Sequence, residues 1–306
     1  MKVIVHGAGA VGAYTGGRLL EAGHDVTFFV RERRRKQLED HGLTLHSTAG
    51  DFSIRHVHTS VSPEEAEEAD LIIWAVKGYH IEEALPQLAE LAEKTGAAVL
   101  PLLNGISHID KMKQVIPENR IIGGLAFIIA ALDEKGHVHH TSGQHGLIYG
   151  ELMQEQKSVV DEVETLFETV NAETKRSRNV WHDMWKKYMF ITAFSGITTA
   201  SDLTIGPVVR SEEACNTILS MLMEMKEIAN IENGGLTTEE AEAALQQMKS
   251  LNAEATSSMH NDLLRGGEIE VEHLQGEALK LADTHQIASP VLYTMYSLIK
   301  PKALNR

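Results

Sequence analysis

What this 306-residue chain lacks narrows its reading first. It has one cysteine, Cys215, so no intramolecular disulfide can form, and a reducing compartment is the simplest expectation. No motif surrounds Cys215, which reads as a structural thiol. Positive charge is scarce: 28 Lys and Arg stand against 43 Asp and Glu, a net charge of −15 with histidine neutral. That balance argues against nucleic acid and against an anionic membrane surface as partners. Long apolar runs are also missing. Nothing approaches the ~20 residues needed to span a bilayer. The opening stretch Met1–Gly7 is too short for the apolar core of a signal peptide. A cytoplasmic protein with no membrane partner is expected. Neither low complexity nor a short-period repeat is visible.

What is present is enough chain for two domains of roughly 100–200 residues. Val3-Ile4-Val5, Val26–Val30, Leu71–Val76 and Ala97–Leu103 are apolar runs that predict buried strands. Residues 11–22, 32–41 and 81–94 read as helices between them. Ser62-Pro63-Glu64-Glu65 combines an N-cap residue, a first-turn proline and two carboxylates, so a helix start is predicted there too. Apolar strands alternating with helices predict an α/β fold with a mostly parallel, doubly wound sheet. Residues 136–151 read as a hairpin-type addition at the edge of that sheet, and 154–171 as a further helix. Beyond residue 178 the strand pattern stops. Residues 181–200, 211–233, 238–252, 254–265, 270–285 and 290–300 all read as helices. Thr237 with Glu240 fits a capping box, and Ser289-Pro290 is an N-cap followed by proline. The chain is therefore divided into an α/β domain, 1–176, and an all-helical domain, 177–306.

Gly7-Ala8-Gly9-Ala10-Val11-Gly12 is a G-x-G-x-x-G pattern placed between the first strand and the first helix. In that context it predicts a Rossmann-type dinucleotide site. Gly7 permits the tight turn, Gly9 lets the backbone approach a pyrophosphate, and Gly12 allows close helix–strand contact. The amides at the helix start then hold the phosphates. An NAD site usually ends its second strand with a carboxylate. Here the strand runs Phe29-Val30-Arg31, and a guanidinium can clasp a 2′-phosphate instead. NADP(H) is the expected cofactor, with Arg31 as its phosphate ligand. Arg31, Arg33, Arg34, Arg35 and Lys36 place 5 of the 28 basic residues in one short window. The roles of Arg33, Arg34 and Arg35 are left open.

From here the sequence resembles the ketopantoate reductase (2-dehydropantoate 2-reductase) family nearly end to end. The glycine loop and Arg31 match first. Trp74-Ala75-Val76-Lys77 is similar to the family's strand-end V-K, and Leu102-Leu103-Asn104-Gly105 to its L-x-N-G. Gly136–Thr141 is similar to its G-x-V-x-H segment, and Trp185-Lys186-Lys187 to its W-x-K. Ser257-Ser258-Met259-His260-Asn261-Asp262 is similar to S-S-M-x-x-D, and Glu270–Gly276 to E-I-D-Y-L-N-G.

The resemblance implies reduction of a 2-oxo acid, with Lys187 as proton donor and Glu270 as its acidic partner. An ammonium suits that role because it donates a proton and neutralises alkoxide charge together. Ser258 matches the residue that binds the substrate carboxylate, and Asp262, four residues on, shares its helix face. Lys77 and Asn104 are implied to line the nicotinamide and substrate cleft, at the carboxyl ends of strands. Two departures stand out. The family follows its lysine with Asn four and eight residues later, both facing substrate. Here those positions hold Ile191 and Ser195. A hydrogen bond lost at a recognition site costs ~1–3 kcal/mol, so the lysine chemistry is better supported than ketopantoate itself.

His137, His139, His140 and His145 invite a metal reading, but no carboxylate or cysteine joins them at ligand spacing. No metal is expected. The leading function is 2-dehydropantoate 2-reductase of the pantothenate (coenzyme A) pathway. The alternatives are a dehydrogenase of another 2-oxo or 3-hydroxy acid, and a non-catalytic NADP-binding redox sensor. A small-molecule acid is the expected partner. A homodimer is compatible with the helical part, though no apolar stripe requires one.

Overall fold

The computed structural model describes residues 1–304, apart from the side chains of Ser142 and Gln144. Contacts divide the chain into two compact units, Met1–Leu103 with His108–Val180, and Asn104–Ser107 with Trp181–Arg306. Asn104–Ser107 groups with the helical unit although it directly follows a strand of the first.

In the first unit, β1 (Lys2–His6), α1 (Ala10–Glu21), β2 (Asp25–Phe29) and α2 (Glu32–His41) follow the predicted order. They are succeeded by β3 (Leu43–Ser47), β4 (Phe52–Ile54), β5 (His58–Ser60), β6 (Leu71–Trp74), α3 (Ile81–Thr95) and β7 (Ala98–Pro101). Then come α4 (Ser107–Lys113), β8 (Gly123–Leu132), β9 (Val138–Gly150), α5 (Lys157–Phe167) and β10 (Glu173–Arg176). The order β5-β2-β1-β6-β7 forms an all-parallel sheet, with Val5 facing Phe28 on one side and Ile73 on the other. All three side chains are fully buried, as expected of strands covered on both faces.

The hairpin predicted within 136–151 does not form: both of its arms lie in the single strand β9, which pairs antiparallel with β8 instead and does not join this sheet. β9 belongs to a second, mixed sheet of order β10-β9-β3-β4, with β8 paired to β9. α1 packs on both sheets, and two adjacent glycines allow it. A methyl group on Gly16 would lie 2.5 Å from the Phe28 ring of β2, and one on Gly17 would lie 2.8 Å from Leu45 of β3.

A second correction concerns Ser62-Pro63-Glu64-Glu65. Only a three-residue 3-10 turn forms, Pro63–Glu65, and Ala66 is already extended. The Lys94 ammonium donates to the carbonyls of Pro63, Glu64 and Ala66 at 2.8–2.9 Å. Those acceptors are satisfied without a further helical turn.

The second unit contains α6 (Val180–Ser201), α7 (Ile205–Val209), α8 (Glu212–Ile231), α9 (Thr238–Ser250) and α10 (Ser258–Leu264). A π-helical turn, Glu272–Gly276, leads into α11 (Glu277–Thr284), and α12 (Pro290–Leu304) follows. Both arms of the Thr237–Glu240 capping box are present. α12 is capped differently from the prediction. The amides of Val291 and Leu292 donate to the Glu224 carboxylate of α8, and the Ser289 hydroxyl turns to the Ile287 carbonyl. α10 starts four residues later than predicted because Ala253 and Ala255 give their carbonyls to the first amides of α7. Among the described residues, no helix is long and apolar enough to cross a membrane.

Candidate active site

β1 ends in the glycine loop, and backbone needs explain each glycine there. Gly7 has φ +100°, and a Cβ on it would sit 2.8 Å from the Ala75 carbonyl oxygen. A Cβ on Gly12 would collide with the Gly7 carbonyl at 1.9 Å. Gly9 is different: a Cβ there would meet nothing within 4 Å, and the residue is exposed. Its backbone is open where a diphosphate would approach, beside the first amides of α1, which have no intrahelical acceptors. Ala8 is buried, while Ala10 and Val11 are half-buried at the helix start.

Gly7, Ala8 and Gly9 line a groove of about 340 Å³ that also reaches Arg31, Arg34 and Lys77. His6 forms part of its wall. Burial, with the nearby Arg31 charge, pushes that imidazole down to about 3, so it stays neutral and adds no charge to the groove. The basic window separates into distinct roles. Arg31 is 61% exposed and donates to Glu83 Oε2 at 2.6 Å, with His80 Nδ1 at 3.2 Å. Arg33 is exposed. Arg35 is held by Glu65 at 2.9 Å. Arg34 turns inward. Its Nε donates to the Ala8 carbonyl of the glycine loop at 3.0 Å, and its Nη2 is buried with no hydrogen-bond partner. Burial pushes this guanidinium down to about 10, while Asp133 opposes the fall, so Arg34 remains a cation. Open backbone at Gly9, helix-start amides and an unsatisfied buried donor fit a dinucleotide. Sequence order alone could not distinguish Arg34 from its basic neighbours.

In the helical unit, α6 carries Lys187. The residue is half-buried, but its ammonium is withdrawn from water. Burial pushes it down to about 8, and the Glu270 carboxylate opposes the fall. Glu270 is itself buried at 4% exposure. Lys186, one residue earlier, projects elsewhere and pairs with Glu240 at 2.9 Å. The Glu270 segment is locked onto α6. Tyr188 donates its hydroxyl to the Leu274 carbonyl at 2.6 Å, and Gln275 Nε2 donates to the Thr192 carbonyl and to Ser195 Oγ. The same π-helical turn reaches Asn104, whose carbonyl accepts from His273 Nε2 at 2.6 Å. Gly105 follows with φ +75°, and a Cβ there would press on that imidazole at 3.1 Å. Lys187, Glu270 and Asn104 therefore share one connected set of contacts.

The remaining candidates range from exposed to buried. Ser258 is exposed in the first turn of α10, with Asp262 half-buried on the same face. Ser257 caps α10 and contacts Thr198 of α6 at 3.0 Å. Ile191 is half-buried one turn beyond Lys187. Ser195 is 3% exposed. His273 and Gln275 went unnoticed in the sequence; their only signal is their place in the segment after Glu270.

The histidines also differ from the sequence reading. A carboxylate does join them: Asp133 lies 3.1 Å from His139 Nε2 and 3.4 Å from His137 Nδ1. Against a burial penalty, the His139 hydrogen bond and the His137 amide bring Asp133 down to about 2. Among the described residues no group of three such side chains is arranged to hold a metal.

A doubly wound parallel sheet opening on this glycine loop, joined to a helical unit with a buried lysine, is the architecture of a Rossmann-type oxidoreductase. Comparison with known proteins makes the class specific. The family model described as ketopantoate reductase PanE/ApbA matches residues 3–154, and its C-terminal companion matches residues 179–303. The uncharacterized oxidoreductase YkpB of Bacillus subtilis is 35% identical over 297 residues, covering 97% of each chain. A 2-dehydropantoate 2-reductase of Halobacterium salinarum is 26% identical, covering 98% of each. A solved D-mandelate dehydrogenase, bound to NADH and anilino(oxo)acetate, has the same fold at 21% identity and a TM-score of 0.90, covering 99% of this chain and 98% of its own. The chain belongs to the ketopantoate reductase family, and it is an oxidoreductase of that family.

Proposed function

We propose that this protein is an NADPH-dependent reductase of 2-oxo acids, with Lys187 as the proton donor. The observation that carries the reading is the Lys187 ammonium withdrawn from water beside the buried Glu270 carboxylate; burial pushes it down to about 8 and Glu270 opposes the fall. A proton donor works best with a pKa near the operating pH. In this reading the first domain, 1–176, holds the dinucleotide and the second, 177–306, carries the acid–base chemistry.

NADPH, when bound, supplies a hydride for the carbonyl carbon. The Lys187 ammonium donates a proton to the carbonyl oxygen, yielding a 2-hydroxy acid, and the neutral amine regains its proton from water. Glu270 keeps the lysine charged and aimed between turnovers. Ser258 and Asp262 border the substrate, with the Ser258 hydroxyl as donor to its carboxylate. Lys77 and Asn104 flank the nicotinamide. The amides from Gly9 to Gly12 hold the pyrophosphate, and Arg31 takes the 2′-phosphate. An exposed ion pair such as Arg31–Glu83 is worth only ~0–1 kcal/mol, so exchanging that carboxylate for a phosphate costs little.

Two substrates fit this chemistry. The family's name supports 2-dehydropantoate, whose reduction to pantoate serves pantothenate and coenzyme A synthesis. Ile191, standing where the family has Asn, favours a different 2-oxo acid. A cytoplasmic homodimer completes the reading. The test is a panel of 2-oxo acids with NADPH and with NADH. Oxidation of NADPH by members of the panel is expected. Silence across the panel overturns the reading, and a preference for NADH overturns the cofactor assignment.

A further inference from the structure

Downstream of Lys187, the face of α6 that carries it turns to carbon. Phe190, Ile191 and Phe194 lie three, four and seven residues on, so all three share the Lys187 face of the helix. Each is half-buried, and the two rings pair at 5.8 Å between centroids.

Two hydroxyls near this face, those of Ser195 and Thr198, are engaged inside the protein. Ser195, which replaces the second family Asn, is buried and accepts from Gln275 Nε2 at 3.1 Å. Thr198 is fully buried, donates to the Phe194 carbonyl at 2.8 Å and contacts Ser257. A hydroxyl on the substrate's tail, laid along this face, would lose water and meet carbon instead of a partner. A buried polar group without a partner is penalised.

We infer that the acid reduced beside Lys187 carries a branched or aromatic hydrocarbon tail without a hydroxyl, and that Ile191, Phe190 and Phe194 select it. The inference rests on the reading of Lys187 as proton donor to a 2-oxo acid, and it names which acids that site takes. Ketopantoate differs from trimethylpyruvate by one hydroxyl on the same branched skeleton, so the pair isolates the question. Apolar surface discriminates against an added hydroxyl by ~10²-fold at most, whereas a site built to bond that hydroxyl rejects its deoxy analogue by ~10⁴–10⁵-fold.

The experiment compares kcat/KM for ketopantoate, trimethylpyruvate and phenylglyoxylate with NADPH, in the wild type and in Ile191→Asn. The expected result is a preference of ~10–100-fold for trimethylpyruvate over ketopantoate, with phenylglyoxylate also reduced. In Ile191→Asn the preference should narrow or invert. NADPH affinity and melting temperature, measured alongside, show that the variant is folded. Ile191→Thr provides a milder polar replacement whose expected shift has the same direction. A wild type that prefers ketopantoate overturns the inference and leaves the Lys187 reading standing. An unchanged preference in both folded variants removes Ile191 as its determinant and also overturns it. If none of the three acids is reduced, the reading of Lys187 falls, and the inference with it.

Discussion

The glycine groove and the lysine site are built in opposite ways. The groove is made largely of backbone: a left-handed Gly7, an open Gly9 and helix-start amides, all within one βα turn. The lysine site is made of side chains from segments far apart in sequence, Asn104, Lys187 and Glu270, joined through Tyr188, His273 and Gln275. A backbone site is sensitive to volume at a few positions. A side-chain site is sensitive to chemistry at one atom. Substitutions in the two regions should therefore fail in different ways.

Loss of the lysine should have the largest effect. Lys187→Ala is expected to lower kcat by ~10²–10⁴-fold, the range for removing a positioned proton donor. NADPH binding, followed by fluorescence titration, should be almost unaltered. Equal losses in binding and turnover would erase the contrast between the regions. Next comes volume in the loop. Gly12→Ala should destabilise the fold by ~1–3 kcal/mol, the usual cost of overpacking, because its Cβ would collide with the Gly7 carbonyl. Gly9→Ala should keep the wild-type melting temperature and raise only the KM for NADPH. If both variants melt alike, the backbone account of the groove is wrong.

The guanidinium effect is of similar size but falls on cofactor binding alone. Arg31→Ala should raise the KM for NADPH by ~10–100-fold, a charged hydrogen bond of ~1.5–3 kcal/mol, and leave NADH kinetics unchanged. A parallel loss with both cofactors would assign the charge to Arg34 or to the fold. The smallest effects concern caps. Thr237→Ala should cost ~1 kcal/mol, since its hydroxyl accepts from the Glu240 amide. Ser62→Ala should stay within about 0.5 kcal/mol, because Ser62 makes no side-chain cap bond. Chemical denaturation of the two variants measures both.

The same contrast explains what could be read in the sequence. The glycine loop and the β1-α1-β2 order are local, so spacing revealed them. The capping box at Thr237 is local too. The Ser62 helix start failed because the groups that end it come from Lys94, on another element. The second sheet was hidden because β9 pairs with β3, more than 90 residues earlier in sequence. The cap of α12 comes from Glu224 on a separate helix. The five basic residues were visible as a cluster, but their division into an exposed Arg31, an ion-paired Arg35 and an inward Arg34 depends on tertiary neighbours. The lysine site was legible through the family resemblance. Nothing in local pattern joined Asn104 to His273, which are 169 residues apart.

The central claim, that Lys187 delivers the proton, is tested most directly by the pH dependence of kcat/KM for reduction of a 2-oxo acid. This profile reports the free enzyme's ionisations. Lys187 must be protonated to act, and it stands at about 8. The rate is therefore predicted to hold below that pH and to fall as pH rises through it. Glu270 raises the lysine's pKa, so Glu270→Gln should move the fall to lower pH. A profile that stays flat well above the Lys187 value, or that does not move in Glu270→Gln, would contradict the account.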